Sequence, residues 1–226
     1  MMVRPGGFAY RAKEKYQDMG VAERYDRSRF AGLLGWIKLE RDRILATRAL
    51  REAGEIRDLL DLPCGTGRFT PILRKRAQRI VSADISREMM EVARENHGTE
   101  RVNFVQCSVE QLPFRDCSFD FTFTARFLLH LPPSLRSVAL GELARVSKRW
   151  VFFDTLMEGG LRGWWRRLLG SAERRGKARK RLGKGELQEL LKGAGLRIHR
   201  LYRPSRLFSE KWMVLCEKAD WPRGRG

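Results

Sequence analysis

Histidine and cysteine are scarce in this chain, three and four among 226 residues. The histidines (His97, His130, His199) are scattered, and no two of the cysteines (Cys64, Cys107, Cys117, Cys216) stand at C-x-x-C spacing. No zinc site can be assembled from them, and no metal is expected. Four thiols without a pairing pattern suit a reducing, cytoplasmic setting better than a secreted disulfide scaffold. Long apolar runs are also missing, since a membrane span needs ~20 such residues. The opening stretch, Met1 to Tyr10, has no apolar signal-peptide core and soon becomes charged. Acid is in short supply too. Twenty-seven Asp and Glu face forty-six Lys and Arg, for a formal charge of +19 and a pI near 10.7. No internal repeat is visible.

A chain of this length with 42% hydrophobic residues can bury one substantial core. Its most informative stretch is Leu59 to Leu73. The apolar run Leu59-Leu60-Asp61-Leu62 stops at small residues and passes into an apolar-periodic segment, the pattern of a buried strand, a tight turn and a helix. Gly65 and Gly67 leave no side chain at the turn, so a nucleotide-like ligand can approach the main chain and the first helical N–H groups. A second apolar run, Arg79 to Asp84, ends in a carboxylate seventeen positions beyond Gly67. An acid there, at the end of a second strand, accepts hydrogen bonds from ribose hydroxyls in doubly wound sheets. The dinucleotide fingerprint is not met, because Thr70 stands where its third glycine belongs.

Strands are expected near 57–62, 79–84, 102–106, 119–124 and 149–154. Helical patterns at 69–77, 86–96 and 134–146 separate them. An earlier helix over 36–53 carries Ile37, Ile44, Leu45 and Ala49, and a late one spans 186–193. Two strands, 196–203 and 211–217, close the chain. The alternation predicts a parallel sheet with helices on both faces. Ligands in such sheets sit at the carboxyl ends of the strands, where Asp61, Asp84, Ser108 and Thr124 would converge.

At these residues the chain resembles the class I S-adenosylmethionine-dependent methyltransferases, in particular the ubiquinone/menaquinone-type branch. Asp61-Leu62-Pro63-Cys64-Gly65-Thr66-Gly67 matches the first motif, with Pro63 in place of its first glycine. Asp84-Ile85-Ser86-Arg87-Glu88-Met89 matches D-x-S-x-x-M. Ser108-Val109-Glu110-Gln111-Leu112-Pro113-Phe114 approaches D-A-E-x-L-P-F. Ser118-Phe119-Asp120 and Leu128-Leu129-His130-Leu131 approach the S-F-D strand and the L-H-H-L that follows it. The resemblance covers roughly residues 20–218 and implies a Rossmann-like, doubly wound seven-stranded α/β sheet, mostly parallel with an antiparallel C-terminal strand. It implies S-adenosylmethionine as the methyl donor.

The donor site so implied comprises Tyr25, Asp61, Pro63, Gly65, Thr66, Gly67, Asp84, Ile85, Met89, Ser108, Val109, Thr124, Ala125 and Arg126. Pro63 donates no N–H, so the loop is expected to hold the donor through its later glycines. Ser108 replaces the aspartate that receives the adenine amino group, which removes a charge from that contact. Thr124-Ala125-Arg126 would line the methionine end, with Arg126 on the methionine carboxylate or on an anionic acceptor. Tyr25-Asp26 resembles an N-terminal pair that closes over the cofactor. Methyl transfer from a sulfonium needs alignment more than side-chain chemistry. His130 is the candidate base, against the plainer reading of a histidine at a helix start; Glu110 is the other carboxylate to consider.

The charge is concentrated. Residues 161–184 carry ten Arg and Lys against Glu173 alone. Leu161, Trp164, Trp165, Leu168 and Leu169 fall on one helical face, with Arg162, Arg166 and Arg167 on its flanks. Tryptophan and leucine beside arginine is the composition of a helix lying in an anionic membrane interface. The organisation expected is therefore a basic segment 1–30 closing over the cofactor, a methyltransferase domain 31–218 with a basic amphipathic insertion 160–185, and a tail 219–226. The expected function is methyl transfer to a small or amphiphilic, lipid- or quinone-like acceptor. Peripheral contact with the inner face of a membrane would run through Trp164, Trp165, Arg166 and Arg167. Two alternatives stand beside it: an RNA methyltransferase using the same arginines on phosphates, and a non-catalytic S-adenosylmethionine-binding module. Against RNA, position 124–127 reads Thr-Ala-Arg-Phe and not the N-P-P-Y type of amino-directed nucleic-acid enzymes.

Overall fold

A computed structural model describes residues 32–158, 181–204 and 210–222. Five helices, a 3-10 turn and seven strands follow one another: α1 (Leu33–Glu52), β1 (Ile56–Asp61), α2 (Thr70–Arg74), β2 (Ala77–Asp84), α3 (Arg87–His97), β3 (Val102–Gln106), β4 (Phe119–Phe123), the turn Leu128–His130, α4 (Pro133–Val146), β5 (Ser147–Leu156), α5 (Lys184–Gly193), β6 (Leu196–Tyr202) and β7 (Lys211–Lys218). The strands form one sheet in the order β3-β2-β1-β4-β5-β7-β6. All neighbours pair parallel except β7, which runs antiparallel to both β5 and β6. The order reverses between β1 and β4, and that reversal creates the crevice in which such sheets take ligands.

The sheet is buried on both faces, which is why its central strands read as continuous apolar runs. Leu60, Ala83, Val151 and Phe153 face α4 and α5, whereas Leu59, Ile80, Phe121, Phe123 and Phe152 face α1 and α2. On the second face Phe123 and Phe152 stack with centroids 5.1 Å apart, and Phe69 from the loop before α2 packs on Phe123 at 5.1 Å. Aromatic pairs at this spacing add to plain area burial.

One local expectation is corrected. The helix expected over 69–77 ends at Arg74. Parallel pairing already engages Ala77 opposite Ile56, and Arg74 donates to the carbonyl of His97 at 2.7 Å, so the chain turns into β2 early. In α1 the face turned to the sheet is Leu39, Asp42, Leu45, Ala46, Ala49 and Leu50; Ile44, one of the residues whose spacing predicts the helix, points to solvent.

The motif D-x-S-x-x-M has a plain structural meaning. Ser86 caps α3 by accepting from Met89 N at 3.1 Å, and Asp84 Oδ1 accepts from Ser86 N at 3.0 Å. Strand end and helix start are locked together by those two bonds. Asp120 of the S-F-D strand works at the opposite edge of the sheet, where Oδ2 accepts from Arg57 N and Asp58 N at 3.0 and 2.9 Å. No helix among the described residues is long and apolar enough to cross a membrane. Residues 1–30, Tyr25 and Asp26 among them, lie outside the described residues, as does most of the insertion, including Trp164, Trp165, Arg166 and Arg167.

Candidate active site

Asp61 and Asp84 end β1 and β2, which are hydrogen-bonded neighbours, and Thr124 follows β4 on the other side of β1. Ser108 lies just past β3, whose last residue, Gln106, pairs with Asp84. The four residues that sequence alone brought to one edge therefore do lie along it.

The loop between β1 and α2 is drawn against β2. Cys64 N donates to the carbonyl of Ala83 at 2.9 Å, and Gly65 N donates to Asp84 Oδ2 at 2.8 Å. Gly67 N bonds the carbonyl of Cys64 at 3.1 Å. The glycine amides expected to meet the donor are thus already engaged within the loop. The two glycines also differ. Both have left-handed backbones, φ +54° at Gly65 and +78° at Gly67, but a Cβ at Gly65 would meet nothing within 4 Å. A Cβ at Gly67 would lie 2.6 Å from His97 Cδ2 and 3.2 Å from Ala93 Cβ. Gly67 is glycine so that α3 can pack on the loop, whereas only Gly65 borders open space.

Buried polar atoms without partners lie along the same edge of the sheet. Asp61 is 2% exposed, and its Oδ2 has no hydrogen-bond partner. Burial, and after it the charge of Asp84, holds its carboxyl well above the usual carboxylate range. Thr124 is buried with Oγ1 likewise unpartnered. Burial raises Asp84 too, against the pull of the backbone N–H groups of Ser86, Gly65 and Ile85. The same desolvation pushes the Cys64 thiol up, helped by Asp84 and Asp61, and moves Cys107 up to about 11. Neither thiol is a nucleophile at neutral pH. Orphaned acceptors of this kind are rare in folded proteins and point to a missing donor. A ligand bearing an ammonium group and sugar hydroxyls fits the set.

The other expected site residues divide. Thr66 is buried in the loop, and Ile85 is half-buried, its carbonyl taking Gln106 Nε2 at 3.0 Å. Pro63 follows a cis peptide. Met89 and Val109 have buried side chains, Val109 within the cluster under α4, so Val109 can present only its backbone to the edge. Ser108 Oγ accepts from Glu110 N at 3.4 Å in a local turn. Ala125 packs on the aromatic face. His130 ends the 3-10 turn with its N–H on the carbonyl of Phe127 at 2.8 Å; α4 starts separately after Pro132, so His130 is not a residue of its first turn.

Arg126 is placed otherwise than a plain donor contact would require. It has φ +60°, its N–H donates to Asp154 Oδ1 at 2.6 Å, and Nη1 lies 3.8 Å from Asp42 Oδ2. Asp42, Asp154 and Lys211, which surround it, were not singled out in sequence. An aspartate on the apolar face of α1 was the one available signal. Among the described residues no group of three or more His, Cys, Asp and Glu side chains could hold a metal ion.

Residues 60–152 match the family model of the methyltransferase domain. A malonyl-[acyl-carrier protein] O-methyltransferase from Pectobacterium atrosepticum is 31% identical over 168 residues, 70% of this chain and 62% of the relative. A demethylmenaquinone methyltransferase from Staphylococcus aureus is 32% identical over 134 residues, 57% of this chain and 53% of the relative. The chain thus spans between half and two thirds of the length of these curated relatives. In fold it is similar to a magnesium protoporphyrin IX methyltransferase from Synechocystis PCC 6803 crystallised with SAH, at TM-score 0.68 and 16% identity over 92% of this chain and 97% of the other. With the strand order and the motif residues in place along one edge, the chain carries a methyltransferase-domain match over residues 60–152 and the fold of the class I S-adenosylmethionine-dependent methyltransferases.

Proposed function

We propose that the protein transfers the methyl group of S-adenosylmethionine to a small or amphiphilic acceptor. The observation that carries this reading is the pair of buried, unpartnered oxygens, Asp61 Oδ2 and Thr124 Oγ1, at the ends of adjacent strands. A cationic α-amino group supplies the hydrogen bonds those oxygens lack and the charge a buried carboxylate needs. Asp84 uses one acceptor position on each oxygen for Gly65 N and Ser86 N, which leaves further lone pairs for ribose hydroxyls. Ser108 offers a neutral hydroxyl at the adenine end.

The donor brings a sulfonium methyl that is already activated, so the protein's task is orientation and exclusion of water. His130, in the turn beyond β4, is our candidate for accepting a proton from the acceptor; its backbone N–H is held by the Phe127 carbonyl. The acceptor class rests on two supports. Relatives bear the names of enzymes acting on malonyl-acyl carrier protein and on demethylmenaquinone, the one anionic and the other apolar. The basic, tryptophan-containing segment 161–184 suits a partner that is both.

Calorimetry with S-adenosylmethionine, followed by incubation of the protein with methyl-labelled donor and separate lipid, small-molecule and RNA pools, tests the reading. Label is expected in a lipid or small-molecule fraction. Label in RNA alone overturns the acceptor class, and donor binding without transfer to any pool overturns the enzyme.

A further inference from the structure

Helix α1 has two apolar faces, and only one of them is used. Leu39, Leu45, Ala46, Ala49 and Leu50 lie on the sheet. On the opposite side Leu33 is 71%, Trp36 56% and Ile44 48% exposed, and Leu34, beside them, is 73% exposed. Trp36 and Ile44 are eight positions apart and Leu33 precedes Trp36 by three, so the three side chains share one stripe. A surface helix ordinarily carries polar residues there, and a grouped apolar stripe marks a contact surface. Its flanks are cationic. Arg41, Arg48 and Arg51 are all exposed, whereas the acid Glu40, one turn from both Trp36 and Ile44, is engaged by Arg43 at 3.4 Å.

The position of the stripe is as informative as its composition. Arg43 of the same helix donates twice to the carbonyl of Arg68, just past the glycine loop, at 2.7 and 3.1 Å. Asp42 is bonded to Lys211 at the start of β7. These contacts hold the middle of α1 against the carboxyl edge of the sheet, the edge along which Asp61 and Asp84 end their strands.

We propose that the outer face of α1, Leu33, Leu34, Trp36 and Ile44 beside Arg41, Arg48 and Arg51, docks on an anionic lipid surface. Aliphatic side chains enter the acyl boundary, tryptophan prefers the headgroup level, and long basic side chains reach back to the phosphates. A chain of net charge +19 is drawn to such a surface from a distance. A second copy of this face is a poor occupant, because a two-fold contact would bring its arginines against the same arginines of the other copy. The docking stands on the helix alone; its use, to present the site to an acceptor dissolved in the bilayer, rests on the methyltransferase reading.

The test is vesicle flotation of the full chain with phosphatidylglycerol-containing and pure phosphatidylcholine vesicles, beside calorimetry with S-adenosylmethionine. We expect binding to the anionic vesicles that weakens with salt and is about tenfold weaker on the neutral ones. Trp36→Glu with Ile44→Glu should lower it by about tenfold or more, and Arg41→Gln with Arg48→Gln by a smaller factor. Both variants should keep the far-ultraviolet dichroism and donor affinity of the parent. The proposal is overturned if the wild type ignores anionic vesicles. It is equally overturned if the Trp36/Ile44 variant binds as well as the parent while Trp164→Ala with Trp165→Ala does not. A concentration-dependent dimer dissolved by Trp36→Glu, without vesicle binding, would name the second copy as occupant instead. A wild type that floats with vesicles but takes up no donor refutes the methyltransferase reading and leaves the docking standing.

Discussion

The ammonium of Lys211 lies 2.6 Å from Asp42 Oδ2, joining the start of the last strand to the middle of the first helix across 169 positions of sequence. The same ammonium lies 2.8 Å from Asp154 Oδ2, and Asp154 Oδ1 in turn receives the N–H of Arg126. Two buried carboxylates, one lysine and a left-handed arginine backbone thus brace α1, β5, β7 and the segment after β4. A residue with φ near +60° that is not glycine is held there by its surroundings, and such strain gathers at functional edges.

Replacing Lys211 by methionine should cost roughly 3 kcal/mol, because two buried carboxylates lose their cation. Urea denaturation measures it. Burial already raises Asp42, with Lys211 opposing, so the variant raises it further. A carboxyl raised in the folded state stabilises at low pH and loses that contribution as pH rises through its folded value. The deficit of Lys211→Met should therefore shrink in acid, and a pH-independent deficit contradicts the assignment.

The two loop glycines should fail differently. Gly67→Ala meets His97 and Ala93 in addition to its backbone strain and should lose about 2–3 kcal/mol of stability. Gly65→Ala carries the strain alone, about 1 kcal/mol, but fills the open flank and should weaken donor binding at least as much as it affects folding. Equal melting temperatures for the two variants would remove the distinction.

Donor binding should depend on pH through Asp61. Without ligand its raised carboxyl loses its stabilising contribution as pH rises through its folded value; an ammonium docked on Oδ2 opposes the raise and favours release of the proton. Thermal stabilisation by S-adenosylmethionine should therefore grow toward neutral pH, with proton release visible in buffers of different ionisation enthalpy. Asp61→Asn should flatten that dependence. Asp42 and Asp84 are raised as well, so the difference between the parent and Asp61→Asn is the quantity to read.

Asp84→Ala removes the acceptor of both Gly65 N and Ser86 N. Donor affinity should fall by about a hundredfold, on the order of two hydrogen bonds to a charged group. An unchanged calorimetric constant would dismiss Asp84 from the donor site.

Much of this was legible in one dimension. The run Leu59-Leu60 announces a strand covered on both faces, Ser86 announces a helix start, and the alternation of elements predicts the layered sheet, because buried strands and capped helices carry their signals locally. Asp61 and Asp84 could be placed at one edge for the same reason: each is the last residue of its strand. Tertiary packing decided the rest. Whether a glycine clears space for a ligand or for a helix depends on what stands opposite, and His97 stands opposite Gly67 only after α3 folds back. Which side of α1 meets the sheet was settled by Leu39 and Leu50, not by Ile44, since both faces offer apolar residues and only packing into the core against α2 and β7 chooses between them. The pairing of Asp42 with Lys211 has no local signature at all; a charge far along the chain becomes a partner only when the sheet brings β7 beneath the first helix.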